Sequence, residues 1–114
     1  MVKAGILALL AVTLAAGADD QQAALARKAR SSFDRAMLSA QPKLGETIEC
    51  VQDQAALLPV AGRDEAPLVY FRKGYCALIA AAVAENAAGF QDAAAAFDQA
   101  VSTWPGRTRP VKGT

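Results

Sequence analysis

The chain carries two thiols, Cys50 and Cys76, set 26 positions apart. That distance is not the Cys-x-x-Cys arrangement of a redox motif, and two cysteines are too few for a four-ligand structural zinc site. Two chemistries remain. One is thiol–disulfide exchange, which needs a depressed thiol pKa and access for a substrate disulfide. The other is a structural bridge; left unbridged, the same residues would serve as small apolar fillers. Glu46 and Glu49, three apart, can face the same way as acid–base carboxylates do, but no nucleophile or metal motif accompanies them and they read as a solvated helix face. The sequence contains no histidine. This removes Ser-His-Asp and Cys-His catalysis, c-type haem attachment and nearly every zinc site. The 8 glycines are scattered, with none in the spacing that cradles phosphate. We therefore expect no catalytic, cofactor-binding or metal-ligating residue, and no enzyme.

The elements that position the cysteines begin after a targeting segment. Lys3 supplies the positive start, Ala4 to Ala15 an apolar run, and Ala16-Gly17-Ala18 the small residues that signal peptidase needs. Residues 1–18 thus read as a signal peptide, with cleavage after Ala18 and a mature start at Asp19. The apolar run is shorter than the roughly 20 residues that span a bilayer, so no stable membrane insertion is expected after processing. The expected location is periplasmic or secreted. Without Lys3 the chain has 11 basic and 11 acidic residues, a balance that gives no electrostatic reason to expect nucleic acid as a partner. Arg107, Arg109 and Lys112, among prolines and glycines, make residues 106–114 a flexible basic tail.

Residues 19–105 have the length of one small domain. The mature region holds 22 alanines and little β-branching, a composition that favours helices and lets them approach closely. Helix 1 is expected from Asp20 to Ala40, with an apolar stripe of Leu25, Ala29, Phe33, Ala36 or Met37, and Ala40. Helix 2 follows Pro42, carries Leu44, Ile48, Val51, Ala55 and Leu58 on its stripe, and closes at Pro59. Helix 3 begins after Asp64, a natural N-cap, with Pro67 in its first turn. It carries two stripes. The first is Leu68, Phe71, Tyr75, Leu78 and Ala82; the second is Val69, Cys76, Ala80, Val83 and Ala87. A helix this apolar packs on more than one side, between helices 2 and 4. Gly89 is placed to end helix 3 in the left-handed conformation, and Phe90 to begin the return.

The last helix holds the most informative spacing. Ala93, Phe97, Ala100 and Pro105 place two small residues and one aromatic on a buried stripe and then a helix stop, with Phe97 between helices 3 and 4. This spacing resembles the second half of a tetratricopeptide repeat, and residues 45–59 form a weaker copy that ends at Pro59. The interval from Pro59 to Pro105 is 46 residues against the family's usual period of about 34. The resemblance implies an all-α fold of four antiparallel helices in two stacked hairpins, residues 20–59 and 64–105. The alternative is a simple four-helix bundle. It further implies that the first helix of each hairpin lines a concave surface, on which Arg30, Arg72 and Lys73 would meet a protein or peptide. Tyr70, Phe71, Tyr75 and Trp104 either line a ligand groove or, as the spacing favours, fill the core.

The reading that follows is an exported, non-enzymatic helical-repeat scaffold for protein or peptide interaction. A small thiol–disulfide redox protein and a self-associating structural subunit are the alternatives. In an oxidising compartment an even count of two cysteines leaves one intramolecular pairing, Cys50 with Cys76. With Gly62 as the midpoint of the turn, Cys50 lies 12 positions before it and Cys76 14 after. In an antiparallel hairpin that is an axial mismatch of about 3 Å, within reach of a bridge if the side chains face each other.

Overall fold

The computed structural model describes residues 2–105, with side chains placed from Asp20 onward. The order is α1 (Val2–Leu38), α2 (Leu44–Leu57), a short 3-10 turn (Leu58–Val60), α3 (Ala66–Ala84) and α4 (Ala87–Thr103). There is no strand among the described residues, and the protein is all-α with four helices in sequence. The expected tail, 106–114, lies outside the described residues.

α1 is much longer than the expected 20–40 helix. Nothing in the alanine- and leucine-rich start breaks the backbone pattern, so one helix of 37 residues continues through it. It stops at Leu38, two residues early. Pro42 disfavours the helical conformation at Gln41, and the Ser39 hydroxyl donates to the Gln41 carbonyl at 2.8 Å, turning the chain. α2 begins at Leu44 behind an extended Lys43, and the Thr47 hydroxyl donates back to the Leu44 carbonyl. Its end runs straight into the 3-10 turn, where Pro59 stands at the start and closes the helix as expected.

α3 packs on α2 along one side and on α4 along the other, while α1 packs on α2 and meets α3 more lightly. Its start falls at Ala66 rather than at an Asp64 cap. Glu65 and Ala66 both donate backbone N–H groups to the Gly62 carbonyl, which winds the chain into the helix without a side-chain cap. Pro67 sits buried in the first turn.

The α3–α4 junction differs from the expected glycine stop. Glu85 takes the left-handed conformation (φ 53°), its N–H reaches the Ala82 carbonyl, and the Asn86 N–H reaches the Ala81 carbonyl at 2.9 Å. This is the paired-bond pattern that commonly ends helices. Asn86 then caps α4, its Oδ1 accepting from the Ala88 N–H at 3.1 Å. Gly89 lies inside the first turns of α4 and has a packing role instead.

The interior is made of small residues. One cluster joins Ala29, Leu57 and Val69, with Leu25 and Leu58 against it. A second joins Ala36, Cys50 and Cys76, with Phe33, Met37 and Val51 against it. The α1 stripe matches expectation except at Ala40, which lies past the helix end and is exposed. The α2 stripe matches only at Val51 and Leu58, which pack against these clusters. Its buried residues are Thr47, Cys50, Asp53, Gln54 and Leu57, while Leu44 and Ile48 are exposed. Cys50 bridges to Cys76, and that bond turns the small and polar side of α2 inward.

Candidate functional site

The fixed point of the molecule is the Cys50–Cys76 disulfide, with Cα atoms 6.0 Å apart. Both cysteines are fully buried where α1, α2 and α3 converge. The side chains of Cys50 and Cys76 do face each other, as the bridge requires. Beside it, Gln54 is fully buried and its Nε2 donates to the Ala29 carbonyl at 2.8 Å, tying α2 to the α1 backbone. Two ion pairs run along the same contact, Lys28 with Asp53 at 3.6 Å and Arg35 with Glu49 at 3.4 Å. Of these pairs the exposed Arg35–Glu49 contributes little by itself, and Lys28–Asp53 joins an exposed ammonium to a carboxylate that is itself buried. They do show where Glu49 is committed.

On the far side of α2 the rotation set by the disulfide leaves Ile48 and Val51 facing a groove of about 600 Å³ that runs over α3 between α2 and α4. Its α3 side is Tyr70, Lys73, Ala77 and Ala80, at steps of three and four that keep one helix face together. The α4 wall follows the same rule with Gly89, Asp92, Ala96 and Gln99, and Gln52 adds to the α2 rim. The alanines and the glycine leave room for an occupant. The polar groups sit around that apolar floor, the arrangement that fixes an occupant's orientation.

Two glycines set how closely α4 approaches. A Cβ on Gly89 would stand 2.7 Å from the Cβ of Ala81 and 3.3 Å from its Cα, so the two backbones meet there without room for a methyl group. A Cβ on Gly74 would stand 2.8 Å from the Phe97 ring. Phe97 is therefore laid across α3, as expected, but is only half-buried because its outer edge reaches the surface. It meets Phe71 and Tyr75 edge to face, each with ring centroids 5.5 Å away. The buried stripe of α4 is Ala93, Ala96 and Ala100.

The three residues expected to share a concave surface are separated. Arg30 is exposed on α1, lining an open depression with Arg27, Asp34, Arg35 and Glu46. Arg72 holds its guanidinium 5.5 Å from the Phe33 ring centroid, a cation–π placement that uses it inside the fold. Only Lys73 lines the groove. Of the four aromatics, Tyr70 lines the groove, while Phe71, Tyr75 and Trp104 are exposed rather than core. Among the described residues no group of three or more acidic, cysteine or histidine side chains could hold a metal.

Sequence reasoning assigned the exposed Ile48 to the core, gave Val51 only its core side and not its groove side, and overlooked Gln52, Asp92 and Gln99. The available signal was the pair of cysteines: a bridged, buried Cys50 leaves Val51 about 100° and Ile48 and Gln52 about 160° around the helix from it, off the packed side of α2. No protein-family model, curated protein or solved structure matches the chain.

Proposed function

We infer that the protein is an exported, non-enzymatic helical scaffold that holds a peptide or an extended protein segment in the groove over α3. The observation that carries this reading is the groove itself, with its alanine floor and its rim of Gln52, Tyr70, Lys73, Asp92 and Gln99. Side chains of an extended segment can enter between the alanines while the rim groups take its backbone polar atoms. Stacked hairpins in the manner of tetratricopeptide repeats would supply such a surface. Export is supported by the Lys3-to-Ala18 pattern and by a disulfide suited to an oxidising compartment.

A non-catalytic role is supported by the lack of histidine and by the pairing of Glu49 with Arg35. A redox role is disfavoured by the complete burial of both cysteines, which keeps a substrate disulfide from the sulfur atoms.

Selection of a displayed library of random short peptides on the protein tests the reading. We expect selected peptides whose affinity falls at least about tenfold in Ala80→Phe, which fills the groove, and is unchanged in Arg30→Ala on α1. Peptides that bind Ala80→Phe as well as the parent would refute the groove as the site.

A further inference from the structure

The side of α3 opposite the groove is the stripe that sequence periodicity assigns to a core, yet nothing among the described residues covers it. Leu68, Phe71, Tyr75 and Leu78 on α3, with Phe90 and Val101 on α4, are between 37% (Leu78) and 49% (Val101) exposed. They form one surface. α3 and α4 pack side by side through Gly74 against Phe97 and Ala81 against Gly89, and the Phe71–Tyr75–Phe97 rings bridge the two helices on this side. The steps from 68 to 82 on α3 and from 90 to 101 on α4 keep the other positions beside those rings.

At ordinary residue areas the six residues expose roughly 500 Å², and Ala82, Ala94 and the edge of Phe97 bring the face to roughly 600 Å². That stands at the upper end of the ~300–600 Å² of the largest apolar patch on a typical monomer. It approaches the ~800 Å² per partner of a standard protein–protein interface.

We propose that this α3–α4 face docks a second copy of the chain, forming a two-fold dimer on the side of α3 opposite the groove. Two such faces would together bury about 1,200 Å², the lower bound of a stable interface, and the chemistry is self-complementary. No position from the two stripes is charged, so a two-fold axis that sets the face against itself brings no like charges together. The formal net charge of +1 leaves little repulsion between whole molecules. The aromatic cluster sits between the two stripes, where interfaces concentrate their anchoring residues. A lipid surface suits the face less well. α3 is long and apolar enough to cross a membrane by length and composition, but its other sides are engaged with α2, α4 and the disulfide.

The test is sedimentation equilibrium of the protein in its natural form from about 1 to 300 μM, a range that brackets affinities of micromolar dimers, beside flotation with phosphatidylcholine vesicles. The variant pair is Leu68→Glu with Phe90→Glu. Both positions lie near helix N-termini, where a carboxylate agrees with the dipole, so the fold is retained while like charges meet across the axis. We expect a dimer in the parent, a dissociation constant raised at least about tenfold in the variant, and a variant melt that stays cooperative but no longer rises with protein concentration as the parent's does. If the double variant unfolds, Val101→Lys near the C-terminus of α4 takes its place with the same expected result. A parent that stays monomeric throughout, a dimer that persists in a folded variant, or a monomer that floats with vesicles would each overturn the proposal. None of these outcomes bears on peptide binding in the groove.

Discussion

The two faces of α3 solve the problem of bringing helices close in different ways. Toward α2 the contact is covalent, and the side chains around it include polar ones: Thr47 and Gln54 are fully buried beside the disulfide. Toward α4 there is no covalent tie. Closeness there comes from Gly74, Gly89 and the alanine stripe of α4, with Phe97 laid across the glycine. A bond tolerates imperfect packing around it because it limits what the unfolded chain can explore. A glycine contact gains nothing from the unfolded state and depends wholly on the fit. The α2–α3 contact should thus answer to redox conditions and the α3–α4 contact to single methyl groups.

Reduction is the stronger way to break this comparison. The bridge closes a loop with a sequence separation of 26, which in the chain-entropy model stabilises by roughly 3–4 kcal/mol. For a domain of this size that corresponds to a fall in melting temperature of roughly 15 °C or more. Thermal melts followed by circular dichroism, with and without reductant, measure it. A shift of only a few degrees would mean that α2 and α3 are held by packing alone, and the contrast between the two faces would disappear.

The α3–α4 contact is tested by comparing its two glycines. Gly89→Ala places a methyl group against the Ala81 side chain and backbone, which can make room only by moving a helix. It should destabilise by about 1–3 kcal/mol, as overpacking does. Gly74→Ala meets the Phe97 ring, which is half-buried and has surface to swing toward. The strain there is relieved at smaller cost, so Gly74→Ala should destabilise less than Gly89→Ala. Denaturant titration of both variants gives the order. If Gly74→Ala proves the worse, the ring is held rigidly and the aromatic cluster is a fixed part of the fold.

Much of the architecture was legible in the sequence, for reasons that also explain the errors. Alanine content and apolar steps of three and four gave the helices, and Pro59 and Pro105 marked their ends, because these are local properties of the chain. The α1 stripe was legible since α1 has one packed side. Periodicity failed on α2 and α3. It finds apolar stripes without saying which neighbour covers them. On α2 the larger apolar residues Ile48 and Val51 line the groove while Thr47 and Gln54 are buried, and on α3 the stripe from Leu68 to Leu78 faces out. Hydrophobicity predicts burial only where a partner helix exists. The groove was illegible for the same reason: Gln52, Lys73 and Asp92 come from three helices, and their meeting depends on the rotation that the disulfide gives α2.

The smallest effect concerns the junction that makes α3 and α4 a hairpin. The sequence offered Gly89 for the left-handed position, but the chain places Glu85 there and spends the glycine on close packing four residues later. An L-residue with a Cβ in that conformation carries a penalty of about 1–2 kcal/mol that glycine avoids. Glu85 is exposed, and neither of the ion pairs among the described residues involves it. Glu85→Gly should therefore stabilise the protein, by about 0.5–1 kcal/mol after the added flexibility of the unfolded chain is subtracted. Because the gain arises at the junction of α3 and α4, it should persist undiminished when the disulfide is reduced. Urea titrations of parent and variant in both redox states measure the two differences. A gain that vanishes on reduction would show that the two sides of α3 are coupled, and a loss of stability would show that the Glu85 side chain contributes more to the turn than its backbone strain removes.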